Sequence, residues 1–274
     1  MMSAQWENFL KNLGEWQGSF AAFSPEGELL GETPSVVSLI GSENNQKVSL
    51  TVRYLPPDEP PKEIALEYTQ VAPKVLFFET GAFSQGSFQW GPYSEFGAEF
   101  GLIEGDRRLR AVMLYDRASQ CNRITLIRER LPHSTTPDRP PLTVEQLAGT
   151  WEGQATTLYP DYRNPSVYPT RLSIAIENEN RIQQKLEFGD RVVSSTGEIQ
   201  GSRLLFNEGA LPIQILLLPD GGSANCPQSI QRGHPFILEM GWLLEPQRRQ
   251  RLIRSYNAKG EWMSLTLLEE QKVN

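Results

Sequence analysis

Cysteine and histidine are all but missing from this chain. Two of each occur in 274 residues: Cys121, Cys226, His133 and His234. Two cysteines cannot build a disulfide framework or a cysteine-based zinc site. The histidines sit in proline-flanked segments with no second imidazole nearby, which leaves a histidine metal cluster or a serine–histidine–aspartate relay little to draw on. No metal ligand and no catalytic residue is therefore assigned, and enzymatic activity is not the expectation. Glycine-rich phosphate loops are missing too: neither G-x-x-x-x-G-K-[ST] nor G-x-G-x-x-G occurs. Basic charge is in short supply, with 12 basic against 17 acidic residues over 1–131 and 13 against 15 over 142–274. Neither half carries the positive footprint of a nucleic-acid module. No apolar run approaches the roughly 18 residues of a spanning helix, so no membrane span is expected. The N-terminal stretch MMSAQWENFLKNL lacks a charged region followed by an apolar core, which makes a cytoplasmic location the expectation.

What the chain does contain is a long repeat. LGEWQG at 13–18 returns as AGTWEG at 148–153, 135 residues on. LFFETGA at 76–82 meets LLFNEGA at 204–210, and FGAEFG at 96–101 meets FILEMG at 236–241. EGDRRLRAVMLYD at 104–116 then meets EPQRRQRLIRSYN at 245–257, with an offset of 141. Order is preserved, and the length differences fall in glycine- and proline-rich segments, where loops absorb them. The reading is a tandem duplication: residues 1–131, a proline-rich linker at 132–141, and residues 142–274.

Each unit opens with a short helical pattern. Trp6, Phe9, Leu10 and Leu13 recur at helix spacing, and in the second unit Thr143 precedes Gln146 as a capping box would require. From there the apolar period changes to two, through segments such as KVSLTVRYL, LRAVMLYD, TRLSIAIE and RLIRSYN. Eight or so sequential strands per unit, joined by hairpin loops, predict an all-β chain of two up-and-down antiparallel barrels, each preceded by a short helix.

The arginine-rich strands carry the chemistry. Alternation puts Arg108, Arg110, Val112 and Leu114 on one face, and Arg107, Leu109, Ala111, Met113 and Tyr115 on the other. Arg249, Arg251, Ile253 and Ser255 share a face in the second unit. Alternation alone does not say which face is inward. Pointing in, Arg108, Arg110, Arg249 and Arg251 offer forked donors suited to a carboxylate; pointing out, they neutralise nearby acids such as Glu99 and Glu239. Tyr115 and Tyr256 recur at the following hairpin, as rim residues of a pocket or as turn anchors. The segment 76–97 crowds seven aromatic residues into one stretch, which either fill a barrel or make an outer patch. Cys226 lies in a long glycine-rich segment that reads as an exposed loop.

A short helix followed by G-x-W at the first strand of a meander resembles the calycin group, which includes the lipocalins and fatty-acid-binding proteins. Gly14-Glu15-Trp16 and Gly149-Thr150-Trp151 carry the match, with Tyr115-Asp116 and Tyr256-Asn257 at the late hairpin. Two such units in one acidic chain resemble a double-barrel family of uncharacterised cyanobacterial and plastid proteins, distantly related to the S- and T-type phycobilin lyases. The resemblance implies that Trp16 and Trp151 close one end of each barrel under an arginine from a late strand, Arg128 in the first unit; position 269 of the second holds a glutamate instead. It implies a ligand such as a tetrapyrrole, carotenoid or lipid, largely apolar with an acidic group. That group would be held among Arg108, Arg110, Glu99 and Tyr115, or among Arg249, Arg251, Glu239 and Tyr256. No cofactor is identified. Two alternatives stand beside this reading: an assembly or scaffold protein with filled barrels and a protein partner, and lyase-like chromophore transfer.

Overall fold

A computed structural model describes residues 3–273. The N-terminal unit comprises α1 (Ala4–Phe9), a 3-10 turn (Leu10–Asn12) and nine strands: β1 (Gly14–Phe23), β2 (Leu29–Ser42), β3 (Lys47–Tyr54), β4 (Lys62–Tyr68), β5 (Val75–Phe77), β6 (Phe83–Gly86), β7 (Phe96–Glu104), β8 (Arg107–Tyr115) and β9 (Cys121–Arg130). The C-terminal unit comprises α2 (Val144–Leu147), a single turn, and ten strands: β10 (Gly149–Leu158), β11 (Ser166–Asn178), β12 (Arg181–Phe188), β13 (Arg191–Gln200), β14 (Arg203–Phe206), β15 (Ile213–Leu217), β16 (Gly222–Pro227), β17 (Phe236–Glu245), β18 (Arg248–Tyr256) and β19 (Trp262–Val273). The chain is all-β, as the alternation predicts, and both strand counts exceed the expected eight.

The two sheets differ in closure. β10 pairs with both β11 and β19, and the ten strands form a closed antiparallel barrel. The nine strands of the first unit run in the order β4-β3-β2-β1-β9-β8-β7-β6-β5 and curl without closing. The expectation of two barrels is thus corrected to one closed barrel and one curled open sheet. Local chemistry accounts for the break. β13 runs to Gln200 and turns back through Gly201 into β14. Its counterpart β4 stops at Tyr68, and Pro73, which has no N–H to give a ladder, stands before β5.

The helix caps follow the sequence. Ser3 accepts the Trp6 N–H, and Thr143 and Gln146 form a reciprocal capping box. The glycines around each tryptophan have two separate duties. Gly14 and Gly149 hold φ of +137° and +121°, which turns the chain sharply into the first strand. Gly18 and Gly153 lie against backbone: a Cβ there would meet the carbonyl oxygen of Arg128 at 1.7 Å or of Glu269 at 2.3 Å.

The largest hydrophobic core lies between the units, not inside either one. The outward faces of β7, β8 and β9, with Phe100, Leu102, Leu109, Met113 and Leu126, pack on those of β16, β17 and β18, with Ala224, Met240, Trp242 and Leu252. The interior of the closed barrel is a second cluster around Trp151 and Leu172, and that of the curled sheet a third around Trp16 and Val37. The aromatic segment is shared out: Phe77 and Phe83 point into the curled sheet, Phe78, Trp90 and Phe96 into the core between units, and Phe88 and Tyr93 are exposed.

That shared face obeys an approximate two-fold rule. The Trp90 N–H bonds Gly260 O at 2.8 Å, and the Ile230 N–H bonds Ser119 O at 3.0 Å. The Trp262 N–H bonds Phe88 O at 2.7 Å, and the Cys121 N–H bonds Gln228 O at 2.9 Å. These partners are the repeat counterparts of one another, so each unit lends the other the same short ladder. The proline-rich linker is pinned as well. Arg107 donates to Thr136 O, Pro137 O and both Asp138 and buried Asp220, and the Arg139 N–H bonds Asp220.

Candidate functional site

The arginine pairs face inward in both units. Arg108 stands directly opposite Glu129 in the β8–β9 ladder, and Arg249 opposite Glu270 in the β18–β19 ladder, so register alone delivers a cross-strand ion pair. Arg108 donates to Glu129 at 2.7 and 3.0 Å, and Arg110 to the same carboxylate at 2.9 and 2.8 Å. Glu99 takes the remaining Arg110 nitrogen. In the second unit Arg249 reaches Glu270 at 2.6 Å and Arg251 reaches it at 3.0 and 2.8 Å. Glu239 is held more loosely by Arg251, at 3.2 and 3.4 Å.

Each network rests on its tryptophan. The Arg108 guanidinium lies 4.5 Å from the Trp16 ring centre, and that of Arg249 lies 4.3 Å from Trp151. The indole N–H groups bond back to the helical segments, Trp16 to Asn12 O at 3.0 Å and Trp151 to Leu147 O at 2.8 Å. Arg128 is not the stacking residue. It lies on the outer face of β9, where it pairs with Glu32, because it is one residue out of phase with inward Glu129. The repeat offset that returns unlike residues at 128 and 269 returns glutamate at both 129 and 270. That match was the available signal for two residues the arginine pattern alone missed.

Burial sets the electrostatics. Burial works against the Glu270 charge, but Arg251 and Arg249 outweigh it and hold the carboxyl at about 2. Glu129 is depressed in the same way, against burial, by Arg108 and Arg110. Burial depresses the guanidinium of Arg249, whereas for Arg251 the attraction of Glu270 and Glu239 overcomes burial and raises it. Two arginines face two carboxylates in each unit, so each cluster is neutral as a whole.

Above each cluster lies a cavity. That of the closed barrel measures about 350 Å³, walled by residues such as Leu172, Ile174, Leu186 and Phe206, with Arg249, Arg251 and Glu239 at its polar end. The cavity of the curled sheet measures about 300 Å³, with Val37, Leu39 and Phe77 in its wall and Arg108, Arg110 and Glu99 at its polar end. Two residues that line the closed barrel's cavity each keep a fully buried polar atom without a hydrogen-bond partner, Arg249 Nη2 and Asn225 Oδ1.

Tyr115 and Tyr256 line neither cavity. They belong to the outward face, and each crosses to the other unit: Tyr115 donates to Pro227 O at 2.7 Å and Tyr256 to Ser87 O at 3.1 Å. Their expected role as ligand contacts is corrected to that of bolts between the units. Cys226, expected in an exposed loop, is buried in β16 with its thiol against that of Cys121. Among the described residues, no three metal-ligating side chains converge, and no helix is long and apolar enough to cross a membrane.

Residues 2–134 match the family model described as "Domain of unknown function (DUF3598), N-terminal". Residues 138–273 match that described as "Biogenesis factor required for ATP synthase 1, C-terminal domain". No curated protein matches the sequence. A crystal structure of a DUF3598-family protein of unknown function from Nostoc punctiforme is similar throughout. It shows 47% identity over 99% of this chain and 100% of that one, with a TM-score of 0.94. The S-type phycobiliprotein lyase CPES from Guillardia theta matches 48% of this chain and 90% of its own, at 12% identity and a TM-score of 0.39. That likeness is too slight to transfer anything. The full-length match, with the fold now described, is decisive: the chain belongs to the DUF3598 family.

Proposed function

We propose that the closed C-terminal barrel is a binding module for a largely apolar small molecule, taken in with its polar end toward Arg249, Arg251 and Glu239. The observation that carries this reading is the cavity of about 350 Å³, apolar along its wall and polar at one end. Its size falls at the lower end of small-molecule sites, which run from roughly 300 to 1,000 Å³. The charge balance refines the ligand. A free carboxylate would have to displace Glu239 or Glu270 from an arginine, stranding a buried charge. A neutral head that both donates and accepts, such as a hydroxyl or amide, instead leaves the Arg251–Glu239 and Arg251–Glu270 pairs intact.

Calorimetric titration of the protein with 1-decanol, decanamide and decanoate, alongside a bilin and a carotenoid, tests this. Saturable one-site binding by the alcohol or amide, tighter than by the matching carboxylate, is expected. No saturable binding by any of them removes the reading, and a preference for the carboxylate removes the neutral head.

A second reading is favoured by the match of residues 138–273 to a biogenesis-factor domain. On this reading the chain assists assembly of a multisubunit complex, without catalysis, through its outer surface. Co-purification of an assembling complex's subunit with the intact chain, undisturbed by filling the cavity, supports it; loss of that subunit on filling the cavity returns the function to the ligand.

A further inference from the structure

The first sheet has one strand fewer than the closed barrel, and strand direction denies it an antiparallel closure on itself. From β1 the ladder steps antiparallel through β2 and β3 to β4. In the other direction it steps antiparallel through β9, β8, β7 and β6 to β5. Nine strands are an odd number, so β4 and β5 end up running the same way. An antiparallel ladder between them is ruled out. One further strand, antiparallel to both, would bring the count to ten, the number that closes the second unit.

The two sides of the gap are not equally finished. On the β5 side the side chain of Gln5 imitates a strand, donating to Phe77 O at 3.0 Å and accepting the Phe77 N–H at 2.8 Å, and Asn8 adds a third bond. β4 has no such cover. Among the described residues, its backbone has ladder partners in β3 only. Its inward side chains are bare as well. Ile64 and Leu66 stand opposite Val52 and Leu50, inside the curl, yet are 50% and 48% exposed. An unpaired edge with an apolar inner face is a template for strand addition.

We propose that the free edge of β4 receives an extended segment of a partner protein, about seven residues long to match β4, with apolar side chains alternating inward and basic ones outward. The inward set covers Ile64 and Leu66 and roofs the first cavity. The basic set follows from the outward face, where Glu63 and Glu67 flank Ala65, each met from β3, by Arg53 and Lys47, yet still more than half exposed. The same pair argues against a second copy of this chain: an antiparallel β4–β4 pairing centred on Ala65 sets Glu63 opposite Glu67 twice, and like charges directly opposite destabilise a ladder. The inference is independent of the ligand in the closed barrel.

The probe is a seven-residue peptide of alternating lysine and valine, added to the intact protein. Fluorescence anisotropy reads binding, and amide hydrogen exchange reads protection along residues 62–68. Binding with protection of β4 amides is expected, weakened about tenfold or more when glutamate replaces lysine. Methylating the peptide's backbone nitrogens on the edge that meets β4 should abolish binding, while methylating the opposite edge should leave it. No binding, binding indifferent to either methylation pattern, or protection elsewhere than β4 overturns the proposal. So does self-association of the protein that Ile64→Lys abolishes, which would give the edge to a second copy.

Discussion

In the N-terminal unit Glu129 receives Arg108 and Arg110, and Arg108 covers Trp16; in the C-terminal unit Glu270 receives Arg249 and Arg251, and Arg249 covers Trp151. Away from that base the copies part. One sheet closes over its cavity and the other ends in a bare edge. On the shared face Met113 of the first unit stands where the second has Arg254, a fully buried guanidinium 3.5 Å from the Trp262 ring centre and bonded to Tyr256 and Ser87. The difference teaches where the duplicated pattern is constrained. A buried charge cluster tolerates no loss of one member, because the remaining charges are stranded. Rim, edge and outward positions carry no such penalty, and there the copies have separated.

The comparison breaks hardest at the central glutamates. Glu129→Ala or Glu270→Ala leaves two buried arginines short of an anion, and each should cost roughly 3–5 kcal/mol. Because the largest core is shared, each should lower one common unfolding transition, seen in urea melts followed by both tryptophan fluorescence and far-ultraviolet circular dichroism. Two separated transitions would show that the units unfold independently.

Acid sharpens the same point. Glu270 is depressed from 4.5 to about 2 in the folded chain. A depressed carboxyl stabilises above its unfolded value and loses that contribution as pH falls through the folded one. The part due to Glu270, on the order of 3 kcal/mol, should therefore be intact at neutral pH and drain away between about pH 4.5 and about pH 2. Urea midpoints across that range check it, and Glu270→Gln should flatten the dependence.

The two-fold face predicts smaller, unequal losses. Tyr115→Phe removes one hydroxyl bond across the units, for about 1 kcal/mol. Tyr256→Phe removes the matching bond and also the one its hydroxyl accepts from buried Arg254, and should be the costlier in urea melts; equal losses would show that the Arg254 contact contributes nothing. Smallest of all, Arg128→Ala removes a partly exposed ion pair with Glu32 and should cost about 0–1 kcal/mol, against a much larger loss for Arg108→Ala. Comparable losses would restore Arg128 to the tryptophan.

Much of this was legible in the residues. Period-two alternation and the repeated G-x-W gave all-β units and the place of Trp16 and Trp151, and Thr143 with Gln146 announced its own cap. Which face of RRLRAVMLYD turns inward was not legible, since both faces alternate with apolar residues; the reason is that both are buried, one in the cavity and one between units. The same fact hid the role of Tyr115 and Tyr256 and the burial of Cys226. Closure was hidden because it depends on strand parity and on how far β4 runs before Pro73, neither of which a count of turn signals supplies.

The most direct test is a pair of cavity-filling variants titrated with 1-decanol by calorimetry. Leu186→Trp obstructs the closed barrel and Leu50→Trp the curled sheet. One saturable site that Leu186→Trp abolishes and Leu50→Trp leaves intact is the predicted result. Binding that survives Leu186→Trp, or that only Leu50→Trp removes, would contradict the assignment of the ligand to the closed barrel.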